Sequence, residues 1–290
     1  MGRQVRLNLS WLKPPPTPPD GSMTLFEHLR ELRYRLVIAV GAILIGMIVS
    51  AIFYPQLFDI LRHPYDVAIA ALKEKNPDQV TDLVNIGLAS PFVLALKVCL
   101  VSGLVLTSPI WLYQLWSFIV PGLLAKEKKL AMIFIGTATP LFLAGVVTGY
   151  LIMPKGIAVL LGFTQDGVAN LQNINDFLSF LLRLMIVFGI AFLIPLIVLM
   201  LNIVGVVKAS QLSKARIYVI FGTFVFGAIA TPSTDPFSML ALAIPMALLF
   251  LVAEAIAHVL DRRKAKRAIA SDGEVVLRDK ALDDLDKHAD

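Results

Sequence analysis

Carboxylates set among arginines and lysines are the residues of this chain best suited to bind something charged. In Thr24-Leu-Phe-Glu-His-Leu-Arg-Glu-Leu-Arg-Tyr-Arg35, Glu27 and Glu31 are four residues apart and share one helical face. Leucines at 25, 29, 32 and 36 form an apolar stripe on the same segment. Such a helix lies at a membrane interface before it turns into the bilayer. Glu31 is also spaced to pair locally with Arg35 at i,i+4, and spacing alone favours that local pair. A second carboxylate, Glu127, stands among three lysines in Pro121-Gly-Leu-Leu-Ala-Lys-Glu-Lys-Lys129. There spacing alone favours a solvated charge that offsets repulsion between its neighbours.

Catalytic chemistry has no visible members. The sequence lacks a Gly-x-Ser-x-Gly elbow, a His-Glu-x-x-His pair, a phosphate-binding Gly-x-x-x-x-Gly-Lys-Ser/Thr loop and paired intramembrane aspartates. The four histidines, His28, His63, His258 and His288, are scattered toward span ends, which suits surface or headgroup roles. Cys99 is the single cysteine, so a disulfide or a Cys/His metal site within one chain is excluded. No cofactor and no metal are expected. Lys97 and Arg183 fall inside apolar runs near their outer ends, where long side chains reach the interface. No acidic residue stands at the centre of a span, so a carboxylate relay through the membrane is not expected.

The elements that must position these residues are membrane helices. Of 290 residues 57% are hydrophobic and 16% charged, with a mean hydropathy of +0.77, which is too apolar for a soluble surface. Six runs stand out: 36–54, 92–120, 130–153, 177–203, 217–231 and 237–260. Most reach the roughly 20 residues that cross a hydrocarbon core of about 30 Å. They lack the alternation of barrel strands, and lipid leaves no partner for an open backbone, so they are helices. Pro109, Pro140, Pro195 and Pro245 lie inside four of them and predict kinks or curvature. The fifth run has 15 residues and predicts a short span that thins the bilayer. The fold class is therefore all-α, a polytopic bundle of six spans with the fifth one short.

Orientation follows from lysine and arginine. Residues 1–35 carry six, 121–129 three, 204–216 three and the tail from 261 eight, which leaves six of the 26 for the other side and the spans. Basic loops stay inside, so both ends are placed in the cytoplasm. The net charge of +5 is read as this orientation signal and as contact with anionic lipid, with no nucleic-acid partner. Residues 1–23 hold Lys13-Pro-Pro-Pro-Thr-Pro-Pro-Asp20 and predict a disordered cytoplasmic extension, not a cleaved signal peptide. Residues 24–260 form the membrane domain and 261–290 a charged cytoplasmic tail. The long 55–91 segment has helical patches and predicts a structured external cap. A transporter or channel would show a midplane polar site or paired broken repeats, and a membrane hydrolase a nucleophile–base pair; none is visible.

Several stretches, in order, resemble TatC, the multi-spanning receptor subunit of the twin-arginine protein translocase. They are Phe26-Glu-His-Leu-Arg-Glu-Leu-Arg-Tyr-Arg35, Ala89-Ser-Pro-Phe92 and Pro109-Ile-Trp-Leu-Tyr-Gln-Leu-Trp-Ser-Phe-Ile-Val-Pro-Gly-Leu123 with Glu127. Gly145 to Tyr150 and Leu242-Ala-Ile-Pro-Met246 complete the series. The resemblance covers about residues 24–260. It implies a non-enzymatic receptor in the plasma membrane for signal peptides bearing two adjacent arginines, on proteins exported folded and driven by protonmotive force. Implied partners are TatA and TatB, or TatA-like single-span subunits, and other TatC copies. The residues carried over for peptide binding are Glu31, Glu127, Arg33 and Phe118. Those carried over for structure or partner contact are Pro64, Tyr150, Thr231 and Asp235. Two departures are Leu193, where many members have glutamate or glutamine, and Met239 in place of a glutamine.

Overall fold

The structure is a computed structural model and describes residues 25–75, 81–119, 128–162, 170–230 and 236–286. Eight helices and two short strands occur among these residues: α1 (Leu25–Ile52), α2 (Tyr54–Lys75), β1 (Thr81–Val84), α3 (Ser90–Leu106), α4 (Ser108–Ile119), α5 (Lys128–Leu161), β2 (Asn170–Asn173), α6 (Ile174–Val204), α7 (Ala209–Ala230) and α8 (Pro236–Asp286). Helices dominate because each apolar run can satisfy its own backbone only by helical hydrogen bonds. α1, α5, α6, α7 and α8 each hold a stretch long and apolar enough to cross a membrane. α3 and α4 meet at 64° and make a sixth span if the bent pair counts as one.

The bend between α3 and α4 has a chemical cause. Pro109 has no N–H to give to the carbonyl four residues back, so the helical ladder is interrupted there. Thr107 closes α3 instead, with its N–H and its Oγ1 both donating to the Gly103 carbonyl at 3.0 and 2.8 Å. The Trp111 indole N–H donates to the Leu104 carbonyl at 2.9 Å and takes over another acceptor at the break. Pro140 and Pro154 in α5, Pro195 in α6 and Pro245 in α8 lie within helices that run on past them.

α5 and α6 pack together at the centre, α1 lies against α3 and α4, and α7 is held on α8, which also meets α6. Gly103 makes the α1–α3 approach possible: a Cβ there would stand 2.4 Å from the Met47 backbone nitrogen. The largest apolar core joins the cap helix α2 to α3, α5, α6 and α8 through residues such as Tyr65, Val98, Met153, Leu181 and Leu242. The 55–91 segment, expected to form a structured cap, holds most of α2 and then β1, which pairs in parallel with β2 from Thr81↔Asn170 to Val84↔Asn173.

Three expectations are adjusted. The fifth span is the shortest unbroken one at 21 residues, yet its helix begins at Ala209 and not at Ile217. Twenty-two helical residues rise about 33 Å, so helix length does not force the bilayer to thin. Hydropathy missed the first turns because Lys214 and Arg216 interrupt the apolar run. The third span likewise continues as helix to Leu161. The sixth run leads into a helix that continues through the charged tail to Asp286.

Candidate functional site

The candidate site is built at the start of α1. Glu31 is only 3% exposed although its helix face is flanked by exposed Arg30, Leu32 and Arg33. Its Oε1 accepts from Arg35 Nε at 2.9 Å and also from Arg35 Nη2. The local pair suggested by spacing therefore forms, but not as a solvated surface pair. Glu31 Oε2 is buried and has no hydrogen-bond partner among the described residues. A buried carboxylate oxygen without a donor is unfavourable, since desolvation is uncompensated.

The neighbouring element is α4. Phe118 near its end stacks on His28 of α1, with ring centroids 4.5 Å apart and planes 16° from parallel. Behind this stack lies a cavity of about 290 Å³ between α1, α3 and α4, lined by Leu32, Arg35, Leu36, Trp111, Leu115 and Phe118 among others. Arg35 is thus shared by the cavity wall and the Glu31 carboxylate. Of the four residues carried over for peptide binding, Glu31 and Phe118 flank this corner and Arg33 is exposed on α1. Glu127 lies outside the described residues, as do Thr231 and Asp235.

Pro64 and Tyr150 are linked through the Ile60 carbonyl, and the reason is covalent. Proline at 64 leaves the Ile60 carbonyl without its helical donor. The Tyr150 hydroxyl donates to that carbonyl at 2.8 Å, from α5 to α2. Pro64 itself is fully buried. Next to it, Tyr65 is buried, and its phenol is pushed up from its ordinary pKa, chiefly by burial and then by Asp82 and Asp66.

Two polar groups inside spans have partners that sequence reasoning missed. Lys97 donates to Asn175 Oδ1 at 3.0 Å and Ser179 Oγ at 2.9 Å on α6, so it ties two helices together as well as lying near an interface. Glu254, 2% exposed, lies on α8 within its apolar stretch Met239–Lys264. It accepts from Arg216 Nε at 2.9 Å, Arg216 Nη2 at 2.6 Å and Ser213 Oγ at 2.7 Å, all on α7. His258 Nε2 is 2.7 Å from the same Ser213 hydroxyl, so this histidine belongs to an interhelical network. A lone glutamate in an apolar run, with a lone arginine at the edge of the run before it, was the available signal. Leu193, by contrast, is buried in an apolar cluster with Leu112, Trp116, Phe142, Leu196 and Met200.

Comparison with known proteins gives this arrangement its context. The family model for the Sec-independent protein translocase protein (TatC) matches residues 27–245. A Sec-independent protein translocase protein TatC of Frankia casuarinae is 42% identical over 259 residues, covering 88% of this chain and 71% of that protein. One from Aquifex aeolicus is 34% identical over 245 residues, covering 83% of this chain and 98% of that protein. A crystal structure of a twin arginine translocase receptor, TatC in DDM, superposes with a TM-score of 0.67 at 33% identity, over 79% of this chain and 99% of that one. Matching in sequence, span pattern and three-dimensional fold, the chain belongs to the TatC family of Sec-independent protein translocase proteins, a multi-pass membrane component of protein transport and not an enzyme.

Proposed function

We propose that this chain is the receptor of a twin-arginine translocase, which binds signal peptides with two adjacent arginines at the cytoplasmic face. The observation that carries this reading is the buried Glu31 carboxylate, with one oxygen on Arg35 and the other without a partner among the described residues. A guanidinium suits such a group: it is permanently charged and its planar donors match a carboxylate. A pair at contact distance is worth about 4 kcal/mol at an effective dielectric near 20, against about 1 in water. Glu127 supplies the second carboxylate in this reading, and Arg33 and Phe118 border the peptide.

Residues 24–260 act as the membrane domain, with residues 1–23 and 261–290 as cytoplasmic extension and tail. Both ends face the cytoplasm of a plasma-membrane protein. The precursors are folded, protonmotive force drives their passage, and TatA and TatB or TatA-like single-span subunits assemble on this chain, together with other copies of it. Thr231 and Asp235 contribute to partner contact at the last outer turn, and Pro64 with Tyr150 holds the cap. Export of a twin-arginine reporter tests the reading. Glu31→Ala and Glu127→Ala should each lower export by at least about tenfold, the loss of about 1.4 kcal/mol of binding, while the protein stays in the membrane. Normal export by the double variant would overturn the assignment.

A further inference from the structure

We propose that Arg35 is an internal occupant of the arginine site, a resting competitor that an incoming peptide cation must displace from Glu31. The inference rests on the reading of Glu31 as a ligand of the signal peptide. In the structure the Glu31 carboxylate is not open to an incoming group. Its side chain is 4% exposed, against 20% for Arg35, and Oε2 is buried. Arg35 is half-buried, the more accessible member of the pair, and lines the cavity between α1 and α4. A ligand approaching through that cavity meets Arg35 before it meets Glu31.

The chemistry of the exchange follows from the bonds Arg35 already makes. Its Nε and Nη2 both donate to Glu31 Oε1, a two-point hold on a buried oxygen. A peptide guanidinium can replace this hold and leave the net charge at Glu31 unchanged, while also supplying a donor for Oε2. An ammonium is a point charge without the planar fork, so it replaces the hold less well. The cost of displacing Arg35 is common to both cations, so Arg35 lowers the affinity of each, while the contacts with Glu31 itself favour arginine. The same exchange keeps the resting site closed to stray cations, because an unpaired buried carboxylate would attract any of them.

Binding of a fluorescent peptide with two adjacent arginines, and of its two-lysine counterpart, to the full chain in nanodiscs tests this. Four forms are compared: wild type, Glu31→Gln, Arg35→Gln and Arg35→Lys. Arg35→Gln should bind the arginine peptide and the lysine peptide each about tenfold more tightly, with their affinity ratio unchanged. Arg35→Lys, a weaker internal occupant, should fall between it and wild type, and stands in if Arg35→Gln does not fold. Unchanged or weakened binding of both peptides by the Arg35 variants overturns the proposal. Glu31→Gln separates the two levels: if it binds like wild type, the receptor reading of Glu31 itself fails. If it loses binding and the Arg35 variants gain nothing, only the displacement fails.

Discussion

Pro64 and Tyr150 illustrate how one residue's covalent deficit becomes another's function. The proline takes a donor away from Ile60, and the tyrosine hydroxyl of α5 restores one at 2.8 Å. The hydrogen bond is thus a tether between the cap helix and the third span, and its strength depends on the proline being there. Tyr150→Phe should lower thermal stability in detergent by about 1 kcal/mol, the usual net worth of one hydrogen bond. Pro64→Ala returns an N–H to the helix, so Tyr150→Phe should cost less in that background. A double-mutant cycle by thermal unfolding measures the difference, and additive effects would show that the two residues do not act through Ile60. Glu31 and Arg35 follow the same logic in reverse. Their spacing makes a local pair, but burial of the glutamate decides that the pair matters.

Among the elements, α7 and α8 are joined by a cluster of polar contacts. Arg216, Ser213 and His258 gather around Glu254. About two turns of α8 beyond Glu254, Asp261 accepts from the Ala209 N–H at 2.8 Å at the start of α7, and from Asn202 Nδ2 of α6 at 3.2 Å. Lys264 donates to the Ile203 carbonyl at 3.0 Å at the end of α6. Gly205, at φ +94°, turns the chain between α6 and α7 in a conformation that other residues rarely adopt. The two members of the ion pair are not equivalent, since the Arg216 side chain is 50% exposed and that of Glu254 is 3% exposed. Arg216→Met leaves a buried carboxylate without its cation and should destabilise by about 3–5 kcal/mol. Glu254→Gln leaves an arginine that water or headgroups can solvate, and should cost less. Thermal unfolding of both variants checks the order, and equal losses would show that burial of Glu254 does not set the penalty.

For the whole molecule, the charge distribution and the fold make one prediction about orientation. The lysine and arginine counts of 1–35, 121–129, 204–216 and 261–290 predict that these stretches share one side, with α2 and the β1–β2 pair on the other. Cys99 is buried, so a membrane-impermeant thiol reagent has little access to it in the unaltered protein. Single cysteines at exposed Lys208 and Asp82 should then label from opposite sides. Lys208→Cys is expected to react only when the reagent reaches the cytoplasmic face, and Asp82→Cys only from outside. The reverse pattern would invert the topology and move Glu31 away from the cytoplasm.

Composition and hydropathy determined the helical class and the approximate spans, because lipid allows few ways to satisfy a backbone. Lysine and arginine counts determined the expected orientation, and motif order determined the family resemblance. These properties are local or additive along the chain, so a linear reading captures them. The start of α7 at Ala209, the partners of Lys97 and the burial of Glu254 were decided only in three dimensions. Arg216 shows why: it ends an apolar run in the sequence, yet in the fold it reaches a carboxylate 38 positions away. Glu31 makes the same point at the candidate site. Its pairing with Arg35 was legible from i,i+4 spacing, but whether water could reach that pair depended on how α1 and α4 pack.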